Sequence, residues 1–206
     1  MAKDMMPVVK ASRRENFALH PKAHKYLIKK SGIPGQHGGN GRRPGANNQY
    51  TIQLREKQKI RRLYGLLEKQ FANLVKKAIR QPGAAGENAL SMLERRLDNA
   101  VYRAGFASSR RSARQLVSHK HFTLNGRRVN IGSIMLREGD AVAVHKKSGK
   151  NAYFKSLNDR SPAPTQLPGW LSVDRAKVAF QVTGKPARED VFEEINEQLL
   201  VEYYSR

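Results

Sequence analysis

Two adjoining stretches of the sequence concentrate arginine with almost no acid to offset it. Arg110, Arg111 and Arg114 have helix-like spacing, and Arg127 and Arg128 directly follow an Asn-Gly pair. Residues 110 and 114 are one helical turn apart, so their guanidinium groups are expected to point the same way. A guanidinium can donate two parallel hydrogen bonds to phosphate, and a surface of many such groups can follow a nucleic-acid backbone without reading bases. The pattern predicts a phosphate-binding surface.

Groups that could catalyse a reaction or hold a metal are sparse by comparison. Glu94 and Asp98 have the i, i+4 spacing of paired carboxylates, but they lie among arginines, which favours salt bridges. His20 and His24 have the spacing of a helical metal pair, yet no third ligand accompanies them and the chain has no cysteine. The glycine-rich run at 32–45 lacks the Gly-Lys-Ser/Thr ending of a P-loop. We therefore predict no catalytic residue, no metal, no cofactor, no small-molecule substrate and no enzymatic activity.

The net charge of the chain indicates a polyanionic partner. The 206 residues include 39 Lys and Arg against 17 Asp and Glu, a net charge of +22. Segments 1–65 and 66–160 each carry +12, whereas segment 161–206 carries −2. Such self-repulsion disfavours compactness unless a polyanion supplies countercharge, with nucleic acid as the first candidate and an anionic membrane surface as the second. Folded RNA is favoured over DNA because it is recognised largely through shape and phosphate position.

A membrane partner fits less well. No run of the sequence approaches the roughly 20 apolar residues that span a bilayer. The basic faces also lack the broad apolar face that binding to a membrane surface requires. Because the N-terminus has no apolar signal-peptide core, a cytoplasmic protein is expected.

The N-terminal half is predicted to be helical after a basic, weakly periodic segment at 1–30 and a glycine-rich loop at 31–49. Apolar residues at helical spacing predict helices at about 50–64, 67–79 and 89–104. A glycine follows the first and the third of these, and Gln-Pro-Gly ends the second.

The following segment is predicted to be a short helix and a hairpin. Ser108 or Ser109 suits the N-cap of a fourth helix that runs to about residue 118. Asn125-Gly126 predicts a type I′ turn that pairs Phe122 with Val129. Further strands are expected at 141–144, 170–173 and 178–182, and a closing helix at 189–201.

Blocks of residues across the chain resemble a known family. The central segment resembles the RNA-binding module named after small-subunit ribosomal protein four, and blocks on both sides resemble the rest of that bacterial ribosomal protein. The matching blocks in the module are Leu93-Glu94-Arg95-Arg96-Leu97-Asp98, Tyr102-Arg103, Gly105-Phe106, Ser109-Arg110, Ala113-Arg114-Gln115-Leu116-Val117, His119, Asn125-Gly126 and Gly139-Asp140. Those outside it are Ser12-Arg13-Arg14-Glu15, Pro34-Gly35-Gln36-His37-Gly38, residues 53–59, Tyr64-Gly65, Glu68-Lys69-Gln70-Phe71, Trp170-Leu171, Asn196-Glu197-Gln198-Leu199 and Val201-Glu202.

The resemblance implies a structural protein of the small ribosomal subunit. Members of the family bind 16S ribosomal RNA at a multi-helix junction in its 5′ domain and act early in subunit assembly. They contact small-subunit protein five, lie near the path by which mRNA enters, and influence decoding accuracy; some repress their own message. Some members carry four zinc-binding cysteines near the N-terminus, which this chain lacks.

The resulting expectation is an α+β fold, with a mostly helical N-terminal domain and a small RNA-binding module of two helices packed on a short antiparallel sheet. The domains are expected at 1–49 for the basic extension and loop, 50–92 for the helical domain packed with 158–206, 93–157 for the module, and 158–206 for the C-terminal extension. RNA binding is assigned to Arg13, Arg14, Gln36, His37, Arg42, Arg43, Arg55, Lys57, Lys59, Arg61, Arg62, Tyr64, Lys69, Arg95, Arg96, Arg103, Arg110, Arg111, Arg114, His119, Lys120, Asn125, Arg127 and Arg128.

The alternative function is an RNA-modifying enzyme or RNA chaperone that uses the same module. An enzyme of this class needs a catalytic domain, usually of well over 100 residues. Only residues 158–206 follow the module, and the helical segment before it has no acid–base constellation.

Overall fold

Helices and one antiparallel sheet make up the described chain, which in the computed structural model comprises residues 4–30, 32–35, 48–191 and 194–205. The fold is therefore α+β, as predicted. The chain forms two compact units. Unit 1 comprises Met1–Gly86 and Glu194–Arg206, and unit 2 comprises Glu87–Glu193. No helix among the described residues is long and apolar enough to cross a membrane.

Unit 1 is helical, and its first two helices lie in the segment where the sequence shows little periodicity. Helix α1 buries Ala11 and α2 buries Ala23, so small residues rather than a conspicuous apolar stripe form their contacts. His20 begins α2, because its Nδ1 accepts a hydrogen bond from the backbone amide of Lys22 at 3.0 Å. The helices of unit 1 are α1 (Val8–Glu15), α2 (Pro21–Lys29), α3 (Gln49–Leu63), α4 (Glu68–Ile79) and, from the end of the chain, α11 (Glu197–Tyr204).

Helices α3 and α4 occupy the predicted positions and form the core of unit 1. Gly65 ends α3 at φ 63°, and the amide of Leu66 returns to the carbonyl of Arg61 at 3.0 Å. The closing helix α11 begins later than predicted because Asn196 caps it, accepting from the amides of Gln198 and Leu199. The buried apolar residues of α3, α4 and their connection are Ile60, Leu63, Tyr64, Leu66, Phe71, Leu74, Val75 and Ala78.

Unit 2 packs helices against a five-stranded antiparallel sheet of order β2-β1-β3-β5-β4. The hairpin has the predicted register, with Thr123 opposite Arg128 and Leu124 opposite Arg127. The helices are α5 (Ala85–Glu94), which begins at the unit boundary, α6 (Leu97–Arg103), α7 (Arg110–Ser118), α8 (Lys146–Gly149), α9 (Ala152–Lys155) and α10 (Leu157–Arg160). The strands are β1 (Phe122–Leu124), β2 (Arg127–Arg128), β3 (Ala141–Val144), β4 (Leu171–Asp174) and β5 (Ala179–Val182).

The prediction of one helix over 89–104 is wrong, because the chain breaks between α5 and α6. Arg96 adopts an extended conformation with ψ 135°. The amides of Leu97 and Asp98 donate to the carbonyls of Ile134 and Gly132, at 2.9 and 3.1 Å. The segment after the hairpin therefore supplies the acceptors that the first turn of α6 needs.

The C-terminal extension divides between the units, whereas the prediction is that all of 158–206 packs with the helical domain. Strand β5 pairs with β3, which adds β5 and β4 to the sheet of the module. Only the segment that contains α11 belongs to unit 1. Trp170, Phe180, Phe106 and Phe122 share the core of unit 2, where the last two rings stack at 6.4 Å between centroids.

Candidate nucleic-acid interface

Helix α7 carries Arg110, Arg111 and Arg114. Ser109 caps it, accepting from the amide of Ser112 at 3.2 Å, and Ala113 and Val117 face the core. Arg111 is exposed, as predicted. Arg110 and Arg114 are only partly exposed, whereas the predicted phosphate-binding surface would expose both.

Arg110 is turned toward α6. Its Nε donates to Oδ1 of Asn99 at 2.8 Å. Its guanidinium carbon lies 4.7 Å from the centroid of the Tyr102 ring, within range of a cation–π interaction. The side chain therefore has contacts on one edge and one face.

Arg114 shares a buried carboxylate with Arg96. Nε of Arg114 donates to Oδ2 of Asp98 at 2.7 Å, and Arg96 donates from Nε and Nη2 to the two oxygens of Asp98 at 3.1 and 2.9 Å. Asp98 and Arg96 are both buried. Loss of Arg114 would leave Asp98 with one guanidinium fewer, so the module depends on this side chain for more than phosphate contact.

The second carboxylate of this region, Glu94, is fully buried. It accepts from Nε and Nη2 of Arg103, each at 2.8 Å, and from Nδ2 of Asn99 at 2.8 Å. The predicted salt bridges of Glu94 and Asp98 are confirmed, although a break in the helix separates the two residues. Arg96 and Arg103 are buried and form ion pairs with these acids. The contacts of the two arginines therefore do not support the predicted direct binding of RNA. Nε of Arg95 donates to the carbonyl of Leu136 at 2.8 Å, and this residue is partly buried.

The hairpin projects exposed cations. Arg127 and Arg128 are both exposed. Arg128 donates from Nε and Nη2 to the carbonyl of Lys120, at 3.2 and 3.0 Å, and Lys120 itself is exposed with φ 62°. Asn125, also predicted to bind RNA, holds the turn to the sheet: its Nδ2 donates to Asp140 at 2.8 Å and its Oδ1 accepts from the amide of Ala141 at 2.9 Å.

Two histidines, His119 and His121, lie in the connection between α7 and β1. His119 is exposed, and its ring lies 6.1 Å from that of His121. Nδ1 of His121 is 3.0 Å from Oγ of Ser148, and the rings of His121 and Phe154 are in a T-shaped arrangement with 5.8 Å between centroids. Burial lowers the pKa of His121, and the charges of His119 and Arg128 lower it further.

Unit 2 is expected to lose stability as the pH falls below about 6.5, the ordinary pKa of histidine. In that range the unfolded chain binds a proton at His121 that the folded chain resists. Urea unfolding followed through Trp170, the only tryptophan, should give a lower midpoint at pH 5.5 than at 7.5. His121→Asn should flatten this dependence, whereas His24→Asn, a change at an exposed histidine of unit 1, should leave it intact. If the urea midpoint of His121→Asn depended on pH as strongly as that of the parent, His121 would not be the group responsible.

Several cations of unit 1 that are predicted to bind RNA form ion pairs within that unit. The carboxylate of Glu15 forms an ion pair with Arg62 and lies 3.5 Å from Nη1 of Arg55. Burial raises the pKa of Glu15 against the lowering effect of Arg62, and burial likewise lowers the pKa of Arg62. Lys57 is buried and donates to Glu68 at 2.7 Å, and Tyr64 is buried.

The unit 1 cations that are predicted to bind RNA vary in exposure. Arg14, Arg55 and Lys69 are exposed. Arg13 donates from Nη2 to the carbonyl of Gly32 at 2.9 Å and from Nε to that of Lys30 at 3.1 Å.

Two partly buried cations of α3 belong to the same set. Lys59 pairs with Glu56 at 3.1 Å and lies 4.9 Å from the centroid of the Phe17 ring. Arg61 donates to the carbonyl of Leu66 at 3.0 Å. Gln36, His37, Arg42 and Arg43 lie outside the described residues.

The side chains that hold Arg110 and Arg62 in place were not predicted from the sequence. Asn99 carries no charge and Tyr102 fits the pattern of an ordinary helix, so the sequence indicates no contact of either residue with Arg110. Glu15 had a signal, because Asp4, Glu15 and Glu56 are the only acids among residues 1–65. An isolated acid in a strongly basic segment is a candidate for a buried ion pair.

Comparison with known proteins identifies the family. Residues 3–94 match a family model described as the ribosomal protein S4/S9 N-terminal domain, and residues 95–142 match the S4 domain. The small ribosomal subunit protein uS4 of Chlorobium luteolum is 49% identical over 207 residues, and that of Acinetobacter baumannii is 47% identical over 211 residues. Both alignments cover the whole of both chains. The chain therefore belongs to the uS4 family.

Proposed function

We propose that this protein is a structural, non-enzymatic constituent of the small ribosomal subunit that binds ribosomal RNA. The full-length similarity to small ribosomal subunit proteins supports the ribosomal role. The S4 domain and the net charge of +22 support the RNA partner.

The observation that carries the proposal is the division of the module's basic residues into an inner and an outer set. The inner set consists of Arg96 and Arg103, which are buried and form ion pairs with Asp98 and Glu94. The outer set therefore lies over a region in which these charges are compensated. The outer set would bind the phosphates of folded RNA without reading its bases. Its exposed members are Arg111, His119, Lys120, Arg127 and Arg128, with Arg95, Arg110 and Arg114 partly exposed.

Unit 1 contributes a second group of cations to the proposed contacts. Arg14, Arg55 and Lys69 are its exposed members, and Arg13, Lys59 and Arg61 are partly exposed. Gln36, His37, Arg42 and Arg43 complete the proposed set. Lys57, Arg62 and Tyr64 act from inside unit 1, by holding its helices together.

The finer role that we propose follows from the family. The RNA is the 16S ribosomal RNA at a multi-helix junction of its 5′ domain, and binding occurs early in subunit assembly. Contact with small-subunit protein five and proximity to mRNA where it enters the subunit would connect the protein with decoding accuracy.

A filter-binding assay tests the proposal. The purified protein is titrated into a 16S 5′-domain transcript, an RNA of the same length with shuffled sequence, and a DNA duplex. We expect preference for the 5′ domain and an affinity that falls steeply with salt, with a log–log slope of about −0.7 to −0.9 per phosphate neutralised. Equal affinity for all three polyanions, or failure to sediment with small subunits at moderate salt, would overturn it.

A further inference from the structure

Asn99 is a buried, neutral residue whose amide has only one orientation that suits its neighbours. It is 2% exposed. Its Nδ2 donates to Oε2 of Glu94 at 2.8 Å and to the backbone carbonyl of Glu94 at 3.2 Å. Because the amide nitrogen faces a carboxylate, the oxygen faces the other way. A flipped amide would place two acceptors together at Glu94 and two donors together at Arg110.

The oxygen of this fixed amide accepts from Nε of Arg110 at 2.8 Å. The ring of Tyr102, one turn further along α6, lies under the guanidinium at 4.7 Å. One contact therefore sets the edge of the guanidinium and the other sets its plane. A long side chain that would otherwise sample many rotamers is held in one orientation before any ligand arrives.

We propose that Asn99 and Tyr102 are positioning residues for phosphate binding by Arg110. The inference deepens the proposed function and rests on it: the ligand is a backbone phosphate of RNA, which Arg110 contacts and the other two residues do not. Ordering a flexible side chain at an interface costs affinity, and a side chain that is already ordered avoids that cost. Glu94 has two roles here, since it neutralises Arg103 and orients the amide of Asn99.

A double-mutant cycle in RNA affinity tests the proposal. Asn99→Ala should weaken binding of the 16S 5′-domain transcript by about two- to tenfold. Its salt slope should match that of the parent, because the charge of Arg110 remains. Arg110→Ala should instead make the slope shallower by about 0.7 to 0.9. Adding Asn99→Ala to Arg110→Ala should cost no further affinity, because the side chain to be positioned is gone.

A matched control uses the neighbouring arginine of the same helix. Asn99→Ala should keep its full effect in an Arg111→Ala background, since the side-chain amide of Asn99 bonds to Glu94 and Arg110. Tyr102→Leu provides a second cycle with Arg110→Ala and decides the matter where Asn99→Ala does not fold. Thermal unfolding of each variant, followed by circular dichroism, fixes the temperature at which all are folded.

The outcomes separate this inference from the proposed function. If the parent protein binds the 5′ domain no better than shuffled RNA, the proposed function fails. If the parent binds specifically, but Asn99→Ala and Tyr102→Leu lose as much affinity without Arg110 as with it, the positioning role is overturned. No loss in either single variant would overturn it as well.

Discussion

Glu94→Ala lowers the free energy of unfolding of unit 2 by about 3–5 kcal/mol, the usual consequence of removing one partner of a buried ion pair. Arg103 is 8% exposed and donates two hydrogen bonds to Glu94. Without the carboxylate its charge stays buried and Asn99 loses an acceptor. For a domain of this size the loss is a large share of total stability.

Urea unfolding followed through Trp170 measures this effect, because the indole is 2% exposed in the core of unit 2. The matched control is Glu138→Ala, which removes the same side chain from an exposed site of the same unit and should change stability by no more than about 0.5 kcal/mol. Equal midpoints for the two variants would show that Glu94 is not a structural acid.

Replacing Arg111, Arg127 and Arg128 together by alanine should make the log–log slope of RNA affinity against salt shallower by about 2.1 to 2.7. Raising the salt from about 50 mM to about 200 mM lowers the affinity of both proteins. The fold-loss of the variant would then be about 20 to 40 times smaller than that of the parent. All three residues are exposed, so the fold should persist. Filter binding across a salt series measures the slope.

The control for this variant removes the same charge elsewhere in unit 2. Lys155, Lys177 and Lys185 are exposed and lie outside the proposed interface. Their joint replacement by alanine should leave the slope close to that of the parent. Equal slope changes in the two triple variants would mean that net charge, rather than the α7 and hairpin surface, governs binding.

Local signals predicted the hairpin and α7 well, because the decisive interactions are close in sequence. Asn125-Gly126 supplies the positive φ angles of the turn, at 48° and 80°. Ser109 caps α7 through an amide three residues away. Such contacts depend on neighbouring residues alone, so the sequence pattern is sufficient to predict them.

Distant contacts explain what the sequence did not reveal. Leu93, Leu97 and Val101 keep helical periodicity across the break between α5 and α6, and the break is stabilised by carbonyls near residue 132. Likewise, a count of charges cannot say which arginines are neutralised inside the protein. Arg62 pairs with Glu15, 47 positions earlier, and the two are not obvious partners in a sequence with 39 Lys and Arg and 17 Asp and Glu.

The placement of α11 has a consequence for the order of folding during synthesis. This helix covers α3: Glu202 accepts from Gln53 at 2.7 Å, and the ring of Tyr203 lies 4.8 Å from Nζ of Lys57. Unit 2 lies between them in the chain. As the polypeptide leaves the ribosome, the later unit is available whole before the earlier one, whose α3 must wait for its last partner to emerge.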